Sequence, residues 1–273
     1  MMQRVNGWLW PMVPGVLAAV LAGGSGAGYA ATTAARTSLP AKLATMPAPR
    51  QVTATLVVDK VSQSKGVNHG KPVAGTARVG VHLDATGLQL AFASALLAKV
   101  AAEKKASATH ADQPTPTLDA LGAVDPVAVS ALLDQAQTLR NALKTEQATG
   151  VRRVDYHGQS VREFTFTQPQ DKSSGGPELK DYSNTYTLWV NDAGVPLAMH
   201  HVAKFKACKM FLCLHFTIDS RDTLAMVDGC LMLASGQHEQ KTSGLGQDAD
   251  ERTTYTLKVS QATCGTQAVA TRD

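Results

Sequence analysis

Aromatic residues are scarce in this chain: six Phe, five Tyr and three Trp make up 5% of 273 residues. A core with so few rings must be aliphatic, and Ala, Thr, Val and Leu dominate. Charge of either sign is also in short supply as a signal, with 26 Lys and Arg against 22 Asp and Glu. A surplus that small and scattered argues against nucleic acid as a partner. Pairs such as Arg152-Arg153 and Lys104-Lys105 read as solvated surface. Beyond the N-terminus no segment is apolar over the ~20 residues that a spanning helix needs.

Catalytic signatures are missing too. There is no His-Glu-x-x-His, no phosphate-binding loop ending in Gly-Lys-Ser/Thr and no Gly-x-Ser-x-Gly elbow. Gly24-Ser25-Gly26-Ala27-Gly28 follows no strand, so it is not a nucleotide loop. The four cysteines, Cys208, Cys213, Cys230 and Cys264, lack the two-to-four-residue spacing of zinc ligands, and no histidine pair completes a set. The chain therefore reads as a non-enzyme without cofactor or metal.

What is present begins with an export signal. Arg4, an apolar run from Trp8 to Leu21 and the small residues ending in Gly28-Tyr29-Ala30-Ala31 have the order that signal peptidase handles. Residues 1–30 are expected to be removed, with cleavage after Ala30, and Pro11 and Pro14 interrupt the run as a membrane anchor. Loss of Arg4 takes the formal charge from +4 to +3. No cysteine follows the apolar run for lipid attachment, so the product is expected in the periplasm or secreted. An even cysteine count in an exported chain favours disulfides, and three complete pairings are open. Cys208 and Cys213 are an odd number of residues apart, so on one unbroken strand they face opposite ways. That favours bridges to Cys230 and Cys264 over a local loop.

Residues 31–50, rich in Ala, Thr and Pro without periodicity, read as a flexible lead-in. A single domain is expected over 51–265 and a flexible tail over 266–273. Alternation predicts strands over 52–58 and 76–83, joined in hairpin fashion, with a turn at Ala85-Thr86-Gly87. Ala93, Leu96, Leu97 and Val100 mark a helix that decays into Glu103-Lys104-Lys105. After a polar stretch over 107–117, Asp125 as N-cap and Pro126 at the first position open a second helix, with Val129, Leu132, Leu133, Ala136, Leu139 and Leu143 in one stripe. From Gly150 the period is two. His157-Gly158-Gln159 turns 151–156 into 160–167. Tyr182, Asn184, Tyr186, Leu188 and Val190 share a face, and Asn191-Asp192-Ala193-Gly194 turns the chain into 195–206. Met210, Leu212, Leu214, Phe216 and Ile218 define the next strand, whose other face carries Phe211, Cys213, His215 and Thr217. Strands over 225–235 and 252–263, separated by a Gly-rich loop, complete eight or nine. The fold class is α+β: a strongly curved antiparallel sheet, an unclosed half-barrel, packed against two central helices.

Titratable residues look unremarkable one at a time. His200 and His201 are adjacent on a strand and cannot grip one metal. His215 is expected as a satisfied core histidine and His238-Glu239 as solvated. Asp155, Glu163 and Asp192 sit at strand ends or on polar faces, where carboxylates meet solvent.

Shape then carries the functional expectation. A curved sheet under an amphipathic helix can enclose an apolar groove. Met210, Leu212, Leu214 and Phe216 from the doubly apolar strand, with Leu132 and Leu139 from the helix, are the expected lining. The run Val154-Asp155-Tyr156-His157-Gly158-Gln159-Ser160-Val161-Arg162-Glu163-Phe164-Thr165-Phe166, followed by Tyr186-Thr187-Leu188-Trp189-Val190-Asn191-Asp192-Ala193-Gly194-Val195-Pro196-Leu197, resembles the periplasmic lipoprotein-carrier superfamily (LolA/LolB-, RseB- and LppX/LprG-like). The resemblance covers about half of the mature chain. The chain departs from that family in showing no helix at the start of the mature domain and no lipobox cysteine. The resemblance implies an unclosed barrel holding lipid or lipoprotein acyl chains under helices, with only transient membrane contact. The alternative is an envelope protein-interaction or sensor module without a ligand cavity.

Overall fold

The computed structural model describes residues 39–65, 70–110, 112–145, 147–170, 178–209, 212–244 and 247–265. The leader-like segment, the tail over 266–273, Met210 and Phe211 lie outside them.

Among the described residues ten strands form one antiparallel sheet. They are β1 (Ala48–Ser64), β2 (Val73–Asp84), β3 (Gly87–Phe92), β4 (Gln147–Tyr156), β5 (Gln159–Thr167), β6 (Glu178–Val190), β7 (Pro196–Lys209), β8 (Leu212–Val227), β9 (Cys230–Gly244) and β10 (Gln247–Gly265). Their order is β3-β2-β1-β10-β9-β8-β7-β6-β5-β4, so the sheet is open, with β3 and β4 as edges among the described residues. The expected hairpins 1–2 and 4–5 are present. His157 and Gly158 both take positive φ, 52° and 79°, which is the two-residue turn that matches strand twist. Asp228-Gly229 does the same at 49° and 93°. It splits the strand expected over 225–235 into the end of β8 and the start of β9. The expected turn Ala85-Thr86-Gly87 is present, with its last residue, Gly87, already opening the short edge strand β3.

Among the described residues five helical segments accompany the sheet: α1 (residues 39–45), α2 (Ser94–Thr109), α3 (Pro116–Gly122), α4 (Pro126–Leu133) and α5 (Gln135–Thr145). The last four carry the chain from edge β3 to edge β4, in place of the two expected. Asp125 caps α4 as predicted, accepting from the Val127 and Ala128 amides at 2.9 Å. Its replacement, Asp125→Ala, is expected to cost about 1 kcal/mol, read as a shifted urea midpoint with unchanged slope. The single stripe from Val129 to Leu143 breaks at Asp134. That residue leaves the helical conformation (φ −120°, ψ 73°), and its carboxylate accepts from the Gln137 amide at 2.9 Å. It ends α4 and caps α5. Helix α3 has an outside cap: both Glu103 oxygens, from α2, accept the Thr117 and Leu118 amides. A Cβ on Gly75 would lie 1.9 Å from the Pro116 carbonyl oxygen, so α3 starts directly on β2.

Two apolar clusters form the core. One joins Leu39, Leu43 and Met46 to Leu139, Phe164, Leu188, Leu231 and Leu233. The other joins Val52, Leu56, Val58 and Val81 to Val129, Leu133, Met232 and Leu257. The flexible lead-in expected over 31–50 does not hold for 39–50, because Leu39 and Leu43 of α1 and Met46 just after it are buried and β1 begins at Ala48. Their spacing, Leu39, Leu43 and Met46, is helical.

Both disulfides have a backbone reason. Cys208 and Cys213 pair locally, Cα–Cα 4.2 Å, contrary to the parity expectation. The chain reverses between β7 and β8, making them cross-strand partners. Cys230 pairs with Cys264, Cα–Cα 5.8 Å. The β9–β10 ladder runs from Gln247↔Gly244 only to Thr256↔Ser235, and β10 then continues to pair with β1. The second bridge joins the strands beyond the end of their ladder. Two disulfides are the chemistry of an oxidising, extracytoplasmic environment. Among the described residues no single helix is long and apolar enough to cross a membrane.

Candidate functional site

Cross-strand partners lie on the same face of a sheet, so the register reads out rows across it. The first row on the helix side runs Leu188, Met199, Asp222, Gly236, Tyr255, Val58. The next runs Tyr186, His201, Ser220, His238, Thr253, Lys60, and the third Asn184, Ala203, Ile218, Gln240, Glu251. Beyond them lie Phe205 and Phe216, then Ala207 and Leu214. The face thus passes from packed core, through a polar belt, to an apolar strip.

The strip exists because the strands outrun the helices. At about 3.3 Å per residue the 16 residues of β8 span roughly 50 Å. The eight and eleven residues of α4 and α5 amount to roughly 30 Å even end to end. Phe205 and Phe216 stack at 5.0 Å with their planes 20° apart. With Leu214 and Ile218 they are half-buried and belong to neither core cluster.

The belt is a connected network. His238 Nε2 donates to Asp222 Oδ1 at 3.0 Å, and Asp222 is buried. Gly236 makes room for that carboxylate, since a Cβ there would lie 2.4 Å from Asp222 Oδ1. Asn184 gives its amide protons to Gln168 Oε1 and Tyr182 Oη, so its Oδ1 accepts from His201 Nε2 at 2.8 Å. The His201 ring stacks on Tyr186 with centroids 4.1 Å apart. Burial first, and the neighbouring His238 second, push the His201 pKa down to about 4. Burial and then the Asp222 carboxylate raise that of the Tyr255 phenol.

The low His201 value predicts acid sensitivity. An unfolded imidazole binds its proton near pH 6.5, whereas the folded one waits until about 4. Between these values the unfolded chain holds more protons, so stability falls as pH drops from 7 to 4. The expected contribution is about 2 kcal/mol, allowing for screening by the solvent the ring still meets. Urea unfolding at pH 7, 5.5 and 4 measures it, and His201→Gln should flatten this part of the profile. Identical profiles for both proteins would count against the assignment.

Of the residues expected to line a groove, Leu139 is buried in the first cluster and Leu132 packs against both. Leu214 and Phe216 lie beyond the belt, Leu212 opens β8, and Met210 is outside the described residues. The structure does not bring the four described side chains, Leu132, Leu139, Leu214 and Phe216, onto one surface. A separate open groove of about 460 Å³ lies between α4, α5 and β3, lined by Leu88 and Val127 but also by Ser130, Asp134, Gln137 and Thr138.

Other expectations change as well. His200 and His201 do face opposite ways, with His200 bonded to Asp219 at 3.0 Å. His215 is exposed rather than core, because it lies on the face away from the helices. His238 joins the network through Asp222 while its side chain stays 38% exposed. Glu163 is buried, accepting from Arg152 Nε at 2.7 Å and Trp189 Nε1 at 3.1 Å. Arg153 pairs with Asp192 at 2.9 Å. Asp222 and Ser220 gave no local signal, since only strand register sets them beside His238. Among the described residues no group of three or more His, Cys, Asp or Glu is placed to hold a metal ion. No family model matches the chain, and no curated protein or solved structure shows significant similarity to it.

Proposed function

We propose that this is an exported binding or carrier protein of the bacterial envelope that holds a lipid or acyl chain on the helix-free part of the inner sheet face. The observation that carries the proposal is the stacked pair Phe205–Phe216, half-buried, outside both core clusters and next to a polar belt. An apolar strip bordered by hydrogen-bonding groups suits an amphiphile. The open antiparallel sheet and the helix α1 ahead of β1 fit the half-barrel architecture of the lipoprotein-carrier superfamily. The two disulfides fit the periplasm or the exterior. In this proposal Leu214 and Phe216 touch ligand, while Leu132 and Leu139 form the packed wall behind the belt.

Mass spectrometry of an organic extract of purified protein tests the proposal. A stoichiometric amphiphile should accompany the wild type and be lost from Phe216→Ser, with far-UV circular dichroism unchanged. Equal retention by both proteins, or none by the wild type, would remove the strip as the site. The two open edges, β3 and β4, favour the alternative of a protein-interaction module, because unpaired strand edges can accept a partner strand.

A further inference from the structure

The polar belt carries information about the other end of the ligand. His201 donates through Nε2 to Asn184 and His238 through Nε2 to Asp222. A neutral imidazole that donates through Nε2 presents an acceptor at Nδ1. Neither Nδ1 has a hydrogen-bond partner among the described residues. Ser220 stands between the two histidines in the same row, Gln240 is in the next and Tyr255 in the previous one. Cationic help is lacking in these rows. Lys60, the only Lys or Arg in them, is paired with Glu251 at 3.0 Å and its side chain is 20% exposed. Among the described residues Asp222, held by His238, is the carboxylate in these rows with no Lys or Arg partner, because Glu251 is taken up by Lys60. Arg162 lies over Phe164 on the core side of the belt, away from the strip.

We infer that the belt takes a neutral, hydroxyl-bearing head group of the glycerol or sugar class and discriminates against carboxylate and phosphate heads. Hydroxyl groups supply the donors that two ring acceptors need, and can accept in turn from Ser220 and Tyr255. An anionic head supplies only acceptors and meets the buried Asp222 carboxylate with no unpaired Lys or Arg in these rows to offset it. This inference rests on the proposed ligand strip.

Isothermal titration at pH 7.5 with 1-monolauroylglycerol and laurate, both below their aggregation concentrations, separates the two ideas because the chains are the same. The neutral ester is expected to bind at least ten-fold more tightly than laurate. His201→Gln keeps a donor towards Asn184 and drops the Nδ1 acceptor. It should weaken the ester about five- to ten-fold and leave laurate unchanged. Ser220→Ala, a smaller change, should act in the same direction by about two- to five-fold. Phe216→Ser should weaken both probes alike. Laurate binding as tightly as the ester, or His201→Gln and Ser220→Ala both without effect, overturns the head-group inference while the strip survives. Failure of both probes to bind wild type overturns both.

Discussion

Replacing the Cys230–Cys264 bridge, as Cys230→Ala with Cys264→Ala, is expected to lower stability by about 4 kcal/mol, whereas the same treatment of Cys208–Cys213 should cost only about 2 kcal/mol. The difference follows from the chain each bridge encloses. Cys230 and Cys264 are 34 residues apart and Cys208 and Cys213 only five, and the entropy removed from the unfolded chain grows with the logarithm of that length. Native geometry acts in the same direction. The local bridge joins neighbours already paired in the β7–β8 ladder, so its loss leaves the backbone pairing in place. The long bridge joins strands past Thr256↔Ser235, where their ladder has ended. Cys230 is fully buried among Val52, Met232 and Leu257. Urea unfolding of both double variants measures the two costs. Equal losses, or a larger one for the local pair, would show that the β9 and β10 ends are held by packing alone.

Leu43→Ala should cost about 3 kcal/mol. The side chain is 0% exposed and sits in the cluster of Met46, Phe164 and Leu188. The α1 backbone around it is tied to α5, where Arg140 Nη1 donates to the Leu43 carbonyl at 3.4 Å. A truncation here leaves a cavity lined by strands and by a second helix, none of which can close on it without moving the sheet. Leu97→Ala is the control. Leu97 is on α2 and 48% exposed, and its removal is expected to change stability by no more than about 0.5 kcal/mol. Composition and periodicity order these two residues the other way. A thermal or urea midpoint for each variant decides between them, and a silent Leu43→Ala would return α1 to the status of a loosely attached lead-in.

The sequence was legible where a few adjacent residues carry the physics. Asp125-Pro126 announces the start of α4, because the cap oxygen and the missing amide both act within one turn. His157-Gly158 announces the β4–β5 turn by its tolerance of positive φ. Asp228-Gly229 carries the same signal between apolar runs and could have been recognised as a hairpin instead of strand interior. Asp134 is subtler. Its neighbours keep helical periodicity on both sides, so only its backbone conformation and the carboxylate's bond to the Gln137 amide show that the stripe is two helices.

What the residues determined unaided is the period-two chain from Gly150 onwards, the short turn at His157-Gly158-Gln159, the capped helix at Pro126 and the even set of cysteines suited to an oxidising compartment. These rest on interactions within a turn or between neighbours on a strand. Tertiary structure alone decided the cysteine partners, the burial of α1 and the meeting of His201, Ser220, Asp222 and His238. The first and the last depend on register between strands, and register comes from how far every ladder runs before the chain turns back; the second depends on α5 and the sheet meeting α1. The apolar strip at Phe205 and Phe216 has the same origin. Its residues alternate like any others in a sheet, and only the shorter reach of the helices leaves them outside the core.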